Sequence, residues 1–542
     1  MLPWRPYHPP RGIVTMDRYA VTAGIPVSVY FVDGCCIEAR RAEMTAIGLD
    51  GLREAIADKY HPVMRILTDE IRTTCRLLRE LTDRIQVHID RLPVVLNYLN
   101  VFLGCLARSL LDIAKFYDNK TISRETRWRK MYHDMSAEGG IPLPQRFLMY
   151  NHFLSLLVQL ITRSPHFDIN TLDAIQDRIN KLREERGIPP PPVPVGPAVN
   201  PQALMQVARR ERSDHWATEI FSRPLPSRTA IPGKPKASIT HGPFANPGEV
   251  MRIPSDSKEL FRRLFDNNNI TVSVYINPFN KTPFMVVSHY QHGQSLFSTK
   301  GIHELCIKRS NGRLVLKRWS ESAQTGKPWL ELAFLTWEEM VLFHCTFVAL
   351  KVNSALSVQL MPEEYAIKGE RKEFRAAILD DGFSHYLTVF KDPDTEAVRL
   401  HAEVSEGDMK QCPIWTAFVT HQSKSPTWIQ LKRGGVVLLM DVNLYVFCKE
   451  YREEKMRQNK HGAFEIHFKN PGAAVKFKEC FYQTPPPSPS TQPTDLDDES
   501  EPPTPTSESP MSESPMSESP MSESPMSESP ISEPMSEPPM SE

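Results

Sequence analysis

A proline-rich segment divides this chain into two parts whose apolar residues follow different periods. Residues 187–197 read Gly-Ile-Pro-Pro-Pro-Pro-Val-Pro-Val-Gly-Pro. Consecutive prolines lack backbone N–H donors and fix φ, so neither a helix nor an interior strand can continue through them. A chain of 542 residues is also too long for one ordinary domain. We therefore expect separate domains on the two sides of this segment.

Before the prolines, the apolar residues recur at intervals of three and four. The clearest stripe is Leu92, Leu96, Leu99, Leu103, Leu106, Leu110 and Ile113. Such a stripe requires partner helices, and short connections such as residues 138–140 favour antiparallel neighbours. We predict an irregular segment over residues 1–39 and an antiparallel helical bundle with coiled-coil-like packing over residues 40–186. Its last helix is predicted over residues 171–186, with Asn170 as the N-cap.

The apolar stretches of this region are predicted to be buried helices. Residues 92–117 are interrupted by polar and charged side chains, and residues 147–161 are too few for a membrane span of about 20 residues. The N-terminus shows no apolar signal-peptide core. The nine cysteines form no C-x-x-C pair, which favours a reducing compartment. We therefore expect a protein that is not secreted and has no transmembrane helix.

Residues 187–256 are predicted to be a Pro-rich basic linker, mostly disordered. From residue 257 onward the pattern changes to alternation, as in residues 270–276 and 284–290. Asn311-Gly312 between two alternating runs is a strong hairpin signal, and Asp381-Gly382 supplies another turn. Two strand-rich blocks are predicted, over residues 257–355 and 365–482.

The two blocks end alike at an offset of 134 residues. Residues 330–334 align with residues 464–468, and the N-cap candidate Thr336 aligns with Asn470. Each block therefore ends in a half-buried strand, a cap and an amphipathic helix. This layout resembles the pleckstrin-homology-like (PH-like) superfold, and the whole chain is similar to uncharacterised proteins of filamentous fungi. The resemblance implies a fold class of α plus α+β, with two β-sandwich or barrel domains, each closed by a C-terminal helix, behind the helical bundle.

The resemblance also indicates where ligands would bind. PH-like domains of the lipid-binding kind place basic side chains on and between their first two strands, where they meet inositol phosphates. The candidate contacts for an anionic ligand are Lys281 in the first block and, in the second, Lys368, Arg371, Lys372, Arg375 and Lys391. The alternative is an ordinary solvated face or a protein-binding domain.

Catalytic motifs are absent from the sequence. It contains no phosphate-binding glycine loop, nucleophile elbow or H-E-x-x-H helix. His344-Cys345 lies on an apolar helix, where a core pair is favoured over a nucleophile. We predict no enzyme activity, no cofactor and no metal site.

The C-terminal residues 484–542 are predicted to be a disordered acidic tail rich in Ser-Pro repeats. They hold 13 acidic and no basic residues, so the remaining 483 residues carry 64 basic against 52 acidic ones. Phosphorylation would add about −1.5 to −2 charges at each site. The candidate sites precede prolines: Thr484, Ser488, Thr504, Ser509, Ser514, Ser519, Ser524 and Ser529. The alternative is a repeat that only solvates the chain.

These features predict a non-enzymatic adaptor or scaffold that is cytoplasmic and peripheral at a membrane. Its partners would be proteins or an anionic lipid surface, bound through the tandem PH-like domains and regulated by phosphorylation of the tail. The helical bundle would also associate with itself. One alternative is a nuclear, chromatin-associated protein that binds histones or other basic proteins, and another is an enzyme with an unfamiliar site. Nucleic acid is not an expected partner.

Overall fold

The computed structural model describes residues 27–138, 140–190, 201, 215–233, 236–245, 253–254, 256–291, 293–320, 325–354, 356, 360–458 and 462–482. The chain separates into two compact units, residues 1–484 and residues 485–542. Every described residue belongs to the first unit, so the predicted tail and its candidate phosphorylation sites lie outside the described residues.

The described part of the N-terminal region is helical. Its helices are α1 (Val27–Arg53), α2 (His61–Val87), α3 (Leu92–Asp118), α4 (Arg124–Ala137), α5 (Leu143–Ile161) and α6 (Ile169–Glu185). The prediction of irregular structure over residues 1–39 is wrong for residues 27–39. Helix α1 carries apolar residues on two faces, buried Ala39 on one and exposed Ile37 on the other, so no single stripe marks it in the sequence.

One contiguous core joins these helices, and the leucine stripe of α3 forms its centre. Leu99, Leu106 and Leu110 have no exposed surface. Among the described residues, Ile89–Asp118 is the one segment long and apolar enough to cross a membrane, and 72% of its most apolar window is buried inside the protein. The stripe is apolar because helices pack around it on several sides.

A domain of strands follows, which we call the first β-domain (the described residues from 215 to 352). It contains the short helix α7 (Ala217–Ile220) and ends in helix α8 (Trp337–Val352). One sheet has the order β2-β3-β4-β5 and the other β1-β8-β7-β6, both antiparallel, and neither closes into a barrel. The strands are β1 (Ile239–Thr240), β2 (Lys258–Phe265), β3 (Ile270–Ile276), β4 (Pro283–Gln291), β5 (Gln294–Gly301), β6 (Leu305–Ser310), β7 (Arg313–Ser320) and β8 (Thr325–Ala333).

The segment predicted as a mostly disordered linker contributes to this domain, so that prediction is wrong for residues 215–233 and 236–245. Ala217 and Ile220 are buried in the domain core. Strand β1 pairs with β8, and Ala245 forms a bridge to Phe297 of β5, so the segment spans both sheets. These contacts are tertiary and leave no periodic pattern in the sequence.

The second β-domain (β9 to α9) forms one sheet of order β13-β14-β17-β9-β10-β11-β12-β15, with β16 paired to β17. It ends in helix α9 (Pro471–Glu479). The strands are β9 (Arg371–Asp380), β10 (Phe383–Lys391), β11 (Val398–Val404), β12 (Pro413–Phe418), β13 (Ile429–Leu431), β14 (Val436–Leu439), β15 (Tyr445–Val446), β16 (Arg457–Gln458) and β17 (Ala463–Phe468). Both domains therefore end in a strand followed by a helix, as the 134-residue offset predicted.

Helix α8 lies between the two β-domains and is buried on all sides. Its Phe343 contacts Phe261 of the first domain, and its Trp337 packs edge-on against Phe418 of the second, with ring centroids 5.5 Å apart. One hydrophobic core therefore includes residues of both domains. This explains why α8 has no polar face.

The helical region docks on the sheet β2-β3-β4-β5. Arg262 of β2 forms ion pairs with Glu80 and Asp83 of α2. The guanidinium of Arg79 lies 3.8 Å from the ring centroid of Tyr290, a cation–π contact. The outer face of this sheet is therefore covered by α1 and α2 and is not open to a ligand.

Candidate ligand-binding surface at the junction of the two β-domains

The basic residues predicted in the second β-domain collect near the first residues of β9. Arg371 opens β9 and stands directly opposite Lys391, the last residue of β10, while Lys372 stands opposite Phe390. Lys368 lies three residues before the strand and is exposed. The structure thus brings Lys368, Arg371, Lys372 and Lys391 to one end of the first strand pair.

Two predicted residues lie elsewhere. Arg375 is in the middle of β9, where its Nη2 donates to Oε1 of Glu403 at 2.6 Å and its guanidinium lies over Tyr386. Lys281, predicted to lie between the first two strands of its domain, follows β3 and therefore lies between the second and third strands of the sheet β2-β3-β4-β5. The expectation is wrong because the sequence of β2, KELFRRLF, places its apolar residues at helical intervals, so the pattern does not indicate the strand that precedes β3.

The first β-domain adds two lysines to this end of the second. Nζ of Lys308 donates to Glu363 at 2.6 Å. Lys317 of β7 stands opposite Cys306, two residues before Lys308, so the two lysines lie on the same face of their sheet. The pKa of Glu363 is lowered by the hydrogen bond from Lys308 and by the positive charges of Lys308, Lys317 and Lys368. Sequence reasoning missed Lys308 and Lys317 because they precede Lys368 by 60 and 51 residues and lie on strands β6 and β7 of the first β-domain. We call Lys308, Lys317, Lys368, Arg371, Lys372 and Lys391 the junction surface.

Several of these cations have no ion-pair partner. Lys391 pairs with Glu396, and Arg371 lies 3.7 Å from Glu373. By contrast, Lys317, Lys368 and Lys372 make no ion pair with any residue in the described part of the chain. The junction surface therefore keeps a positive charge that its own carboxylates do not neutralise.

Buried ion pairs hold the junction in place. Arg309 of β6 pairs with Asp392, which follows β10, and neither side chain is more than 5% exposed. Lys351 at the end of α8 donates to both carboxylate oxygens of Glu364 at 2.9 Å. Because these pairs join the first β-domain to the segment around β9 and β10, the lysines of both domains keep fixed relative positions.

The opposite end of the β9–β10 pair is acidic. Asp380 is buried and accepts hydrogen bonds from Trp415 Nε1 at 2.7 Å and from the Tyr451 hydroxyl at 3.1 Å. A shallow groove of about 410 Å³ lies beside the turn, and carboxylates form part of its lining. It is lined by Asp381, Gly382, Lys455, Met456, Gln458, Glu465 and His467. At this turn an inositol phosphate would meet the carboxylates of Asp381 and Glu465 and one lysine, Lys455, which lies 3.6 Å from Asp381.

The described residues offer no nucleophile at His344-Cys345. Both side chains are buried in the core beneath Arg399. Burial, together with the charge of Arg399, lowers the pKa of His344 to about 3, and burial raises the pKa of Cys345 to about 11. A neutral thiol without solvent access is a core residue. Within the described ranges, no three His, Cys, Asp or Glu side chains are placed to hold a metal ion.

Comparison with known protein families agrees with this architecture. Residues 246–370 match the N-terminal model, and residues 371–485 the C-terminal model, of a PH domain found in tandem in fungal proteins. No curated protein and no solved structure matches the chain. PH domains are typically non-catalytic binding modules. Residues 246–485 are therefore two tandem PH domains of the kind found in fungal proteins, and an N-terminal helical region precedes them.

Proposed function

We propose that this protein is a non-enzymatic adaptor that binds an anionic surface through the junction of its two PH domains. The observation that carries the proposal is the meeting of lysines from both domains at one junction held by buried ion pairs. The positive charges of Lys317 and Lys368 both lower the pKa of Glu363, and neither lysine has an ion-pair partner among the described residues. Because buried ion pairs hold the backbone that carries these lysines, binding does not have to order that backbone first.

The surface favoured by this chemistry is the cytoplasmic face of a membrane. That leaflet carries anionic lipids, and a basic side chain near it contributes about 1 kcal/mol of attraction. The junction surface holds several separate lysines, which suits a charged plane better than a single headgroup. An acidic protein is the other partner that the same charges would attract. Nothing in this surface favours a histone, because a basic partner would be repelled.

A charge reversal of the two unpaired lysines tests this proposal. We expect Lys317→Glu with Lys368→Glu to weaken binding of the full chain to phosphatidylserine-containing vesicles by at least about tenfold at low salt. The matched control is Lys424→Glu with Lys476→Glu, two exposed lysines elsewhere on the second PH domain. Binding is measured by vesicle flotation at several salt concentrations, since screening should weaken it.

The binding results distinguish a membrane from an acidic protein as the partner. Binding to poly-glutamate but not to vesicles would assign the surface to an acidic protein. Equal losses from the junction variant and the control would contradict the proposal, as would an unmodified chain that binds neither probe.

The C-terminal tail affects binding to an anionic surface only through its charge. Phosphates on the Ser-Pro and Thr-Pro sites would add negative charge to the protein and oppose its attraction to an anionic surface. In the same assay, a chain ending at residue 483 should bind at least as tightly as the full chain, and phosphorylation of the full chain should weaken binding. Unchanged binding in both cases would remove the tail from the mechanism.

A further inference from the structure

The turn between β3 and β4 holds an aromatic side chain outside the first PH domain. Residues 277–281 read Asn-Pro-Phe-Asn-Lys. Phe279 is 81% exposed, more than any other large apolar side chain among the residues that the structure describes. A phenyl ring left in water forgoes the favourable free energy of its burial. This turn therefore carries an apolar group that the core of its own domain does not use.

Hydrogen bonds within the turn fix the backbone on both sides of this ring. Oδ1 of Asn277 accepts from the Phe279 amide at 2.9 Å, and the Asn277 carbonyl accepts from the Lys281 amide at 3.0 Å. Oδ1 of Asn280 accepts from the Thr282 amide at 3.0 Å. Because the backbone is held in this way, the Cβ of Phe279 keeps its outward direction, and only another molecule can cover the ring.

The same turn is positively charged. Residues 277–283 contain no acidic side chain. Lys281 is exposed and makes no ion pair within the described ranges, and its Nζ donates to the carbonyl of Pro278 at 2.8 Å. An apolar ring beside a lysine is typical of surfaces that lie at a membrane interface, where the ring enters the acyl boundary and the cation meets the headgroups.

The turn lies at the same end of the first PH domain as two lysines of the junction surface. Phe284, the second residue of β4, stands opposite Gly301, and only the single helical turn Ile302–Glu304 separates Gly301 from the start of β6. Lys308 is the fourth residue of β6, and Lys317 stands opposite the second. The exposed ring and these cations therefore belong to one end of the domain.

A second exposed apolar side chain accompanies these lysines. Met361 is 48% exposed and precedes by two residues Glu363, the carboxylate that accepts from Lys308 at 2.6 Å. The Met361 amide donates to Glu364 at 2.9 Å, which holds its backbone in place. A bilayer offers negative headgroups and an apolar interior together, so it matches this combination of cations and apolar side chains.

We propose that the turn carrying Phe279, together with Met361, inserts into the apolar part of the anionic membrane that the junction surface binds. This inference rests on the proposed function and selects the membrane over an acidic protein as the partner. The lysines meet the headgroups, and the two apolar side chains pass below them. Part of the attraction is therefore insensitive to salt, because salt screens charges and does not screen apolar burial.

Vesicle flotation of the full chain tests the insertion. With vesicles of phosphatidylcholine and phosphatidylserine, Phe279→Ala should weaken binding about tenfold, by a similar factor at low and at high salt. Met361→Ser should weaken it by a smaller factor. Lys317→Glu with Lys368→Glu should lose most at low salt. The control is Phe383→Ala, which removes a 64% exposed ring at the start of β10 and should bind like the unmodified chain.

Tryptophan fluorescence tests the position of the side chain directly. When bound to vesicles that contain brominated lipid, the Phe279→Trp variant should be quenched more strongly than the unmodified chain, which has eight tryptophans of its own. The Phe383→Trp variant should show no such increase, because its turn lies at the acidic end of the second PH domain.

The inference is overturned if Phe279→Ala binds as tightly as the unmodified chain, or if the two tryptophan variants are quenched equally. If only the junction variant loses binding, the proposed function holds without insertion. If only Phe279→Ala loses binding, the turn carries the membrane contact and the proposed function of the junction surface fails. An unmodified chain that does not bind vesicles overturns both.

Discussion

At the scale of single residues, buried ion pairs at the domain junction fix the arrangement of the two PH domains. Arg399 of β11 and Glu370 before β9 are both almost fully buried and joined by two hydrogen bonds of 2.7 and 3.0 Å. Burying an ion costs several kcal/mol, and a partner with good geometry is needed to offset that cost. In the sequence these residues look like ordinary surface charges, since their pairing exists only in the folded chain.

Removal of Glu370 should therefore be far more damaging than removal of an exposed carboxylate. Glu370→Gln leaves the Arg399 guanidinium buried without a counter-charge, and we expect a loss of about 3–5 kcal/mol in unfolding free energy. Glu396→Gln, which breaks the exposed pair with Lys391, should cost less than about 1 kcal/mol. Urea denaturation followed by tryptophan fluorescence measures both variants. Similar costs for the two would refute the role assigned to the buried pair.

At the scale of elements, the two domain-closing helices begin at matched positions but are capped differently. Oδ1 of Asn470 accepts from the Gly472 amide at 2.9 Å, which satisfies a free donor at the start of α9. Thr336 holds the same position before α8, yet its hydroxyl is buried and makes no hydrogen bond. The sequence predicted both caps by position and only the geometry distinguishes them. The prediction of Asn170 as an N-cap is also wrong. The cap is Asp168, whose side chain accepts the capping bond from the Asn170 amide.

These caps should respond differently to the same substitution. Asn470→Ala removes a formed capping bond and should cost about 1 kcal/mol in stability. Thr336→Ala removes a buried hydroxyl that has no partner, so its cost should be smaller or even reversed in sign. The two variants serve as each other's control in a comparison of urea midpoints. A larger cost at Thr336 than at Asn470 would contradict the assignment.

At the scale of the whole molecule, the segment before the first PH domain completes that domain. Glu338, in the first turn of α8, has no exposed surface. Its carboxylate accepts hydrogen bonds from the Ser227 hydroxyl at 2.7 Å and from the amide and hydroxyl of Thr229 at 2.8 and 2.6 Å. All three donors come from the segment predicted to be a disordered linker. This segment and α8 therefore depend on each other, and the family match beginning at residue 246 does not mark where the folded unit begins.

Loss of those donors should destabilise the full chain. Ser227→Ala with Thr229→Val removes two hydroxyl donors from a buried carboxylate, and we expect a cost of at least about 2 kcal/mol in unfolding free energy. Ser222→Ala, which removes an exposed hydroxyl of the same segment that bonds only to Glu219, is the control and should be close to neutral. Chemical denaturation of the full chain measures both. If the double variant is as stable as the control, this segment is not an integral part of the domain.

The sequence by itself determined the order of the parts. Periods of 3.6 and 2, the prolines between them and the turn signals are local properties, and local sterics and hydrogen bonding decide them. The hairpin turn at Asn311-Gly312, with positive φ at both residues, follows the sequence prediction. So does the repeated strand and helix at the end of each PH domain, although of the two predicted caps Asn470 forms a capping bond and Thr336 does not. The basic residues around β9 could likewise be named from the sequence, because strand order follows chain order there.

Only the tertiary structure decided what these parts do together. It added Lys308 and Lys317 to the lysines around β9, buried α8 between two domains, and turned a linker segment into the support of Glu338. Each of these depends on contacts between residues far apart in the chain, and no local pattern records such contacts. The exposed apolar residues of α1, such as Ile37, also depend on the tertiary structure. The sequence does not show which face of this helix packs into the core and which face stays exposed.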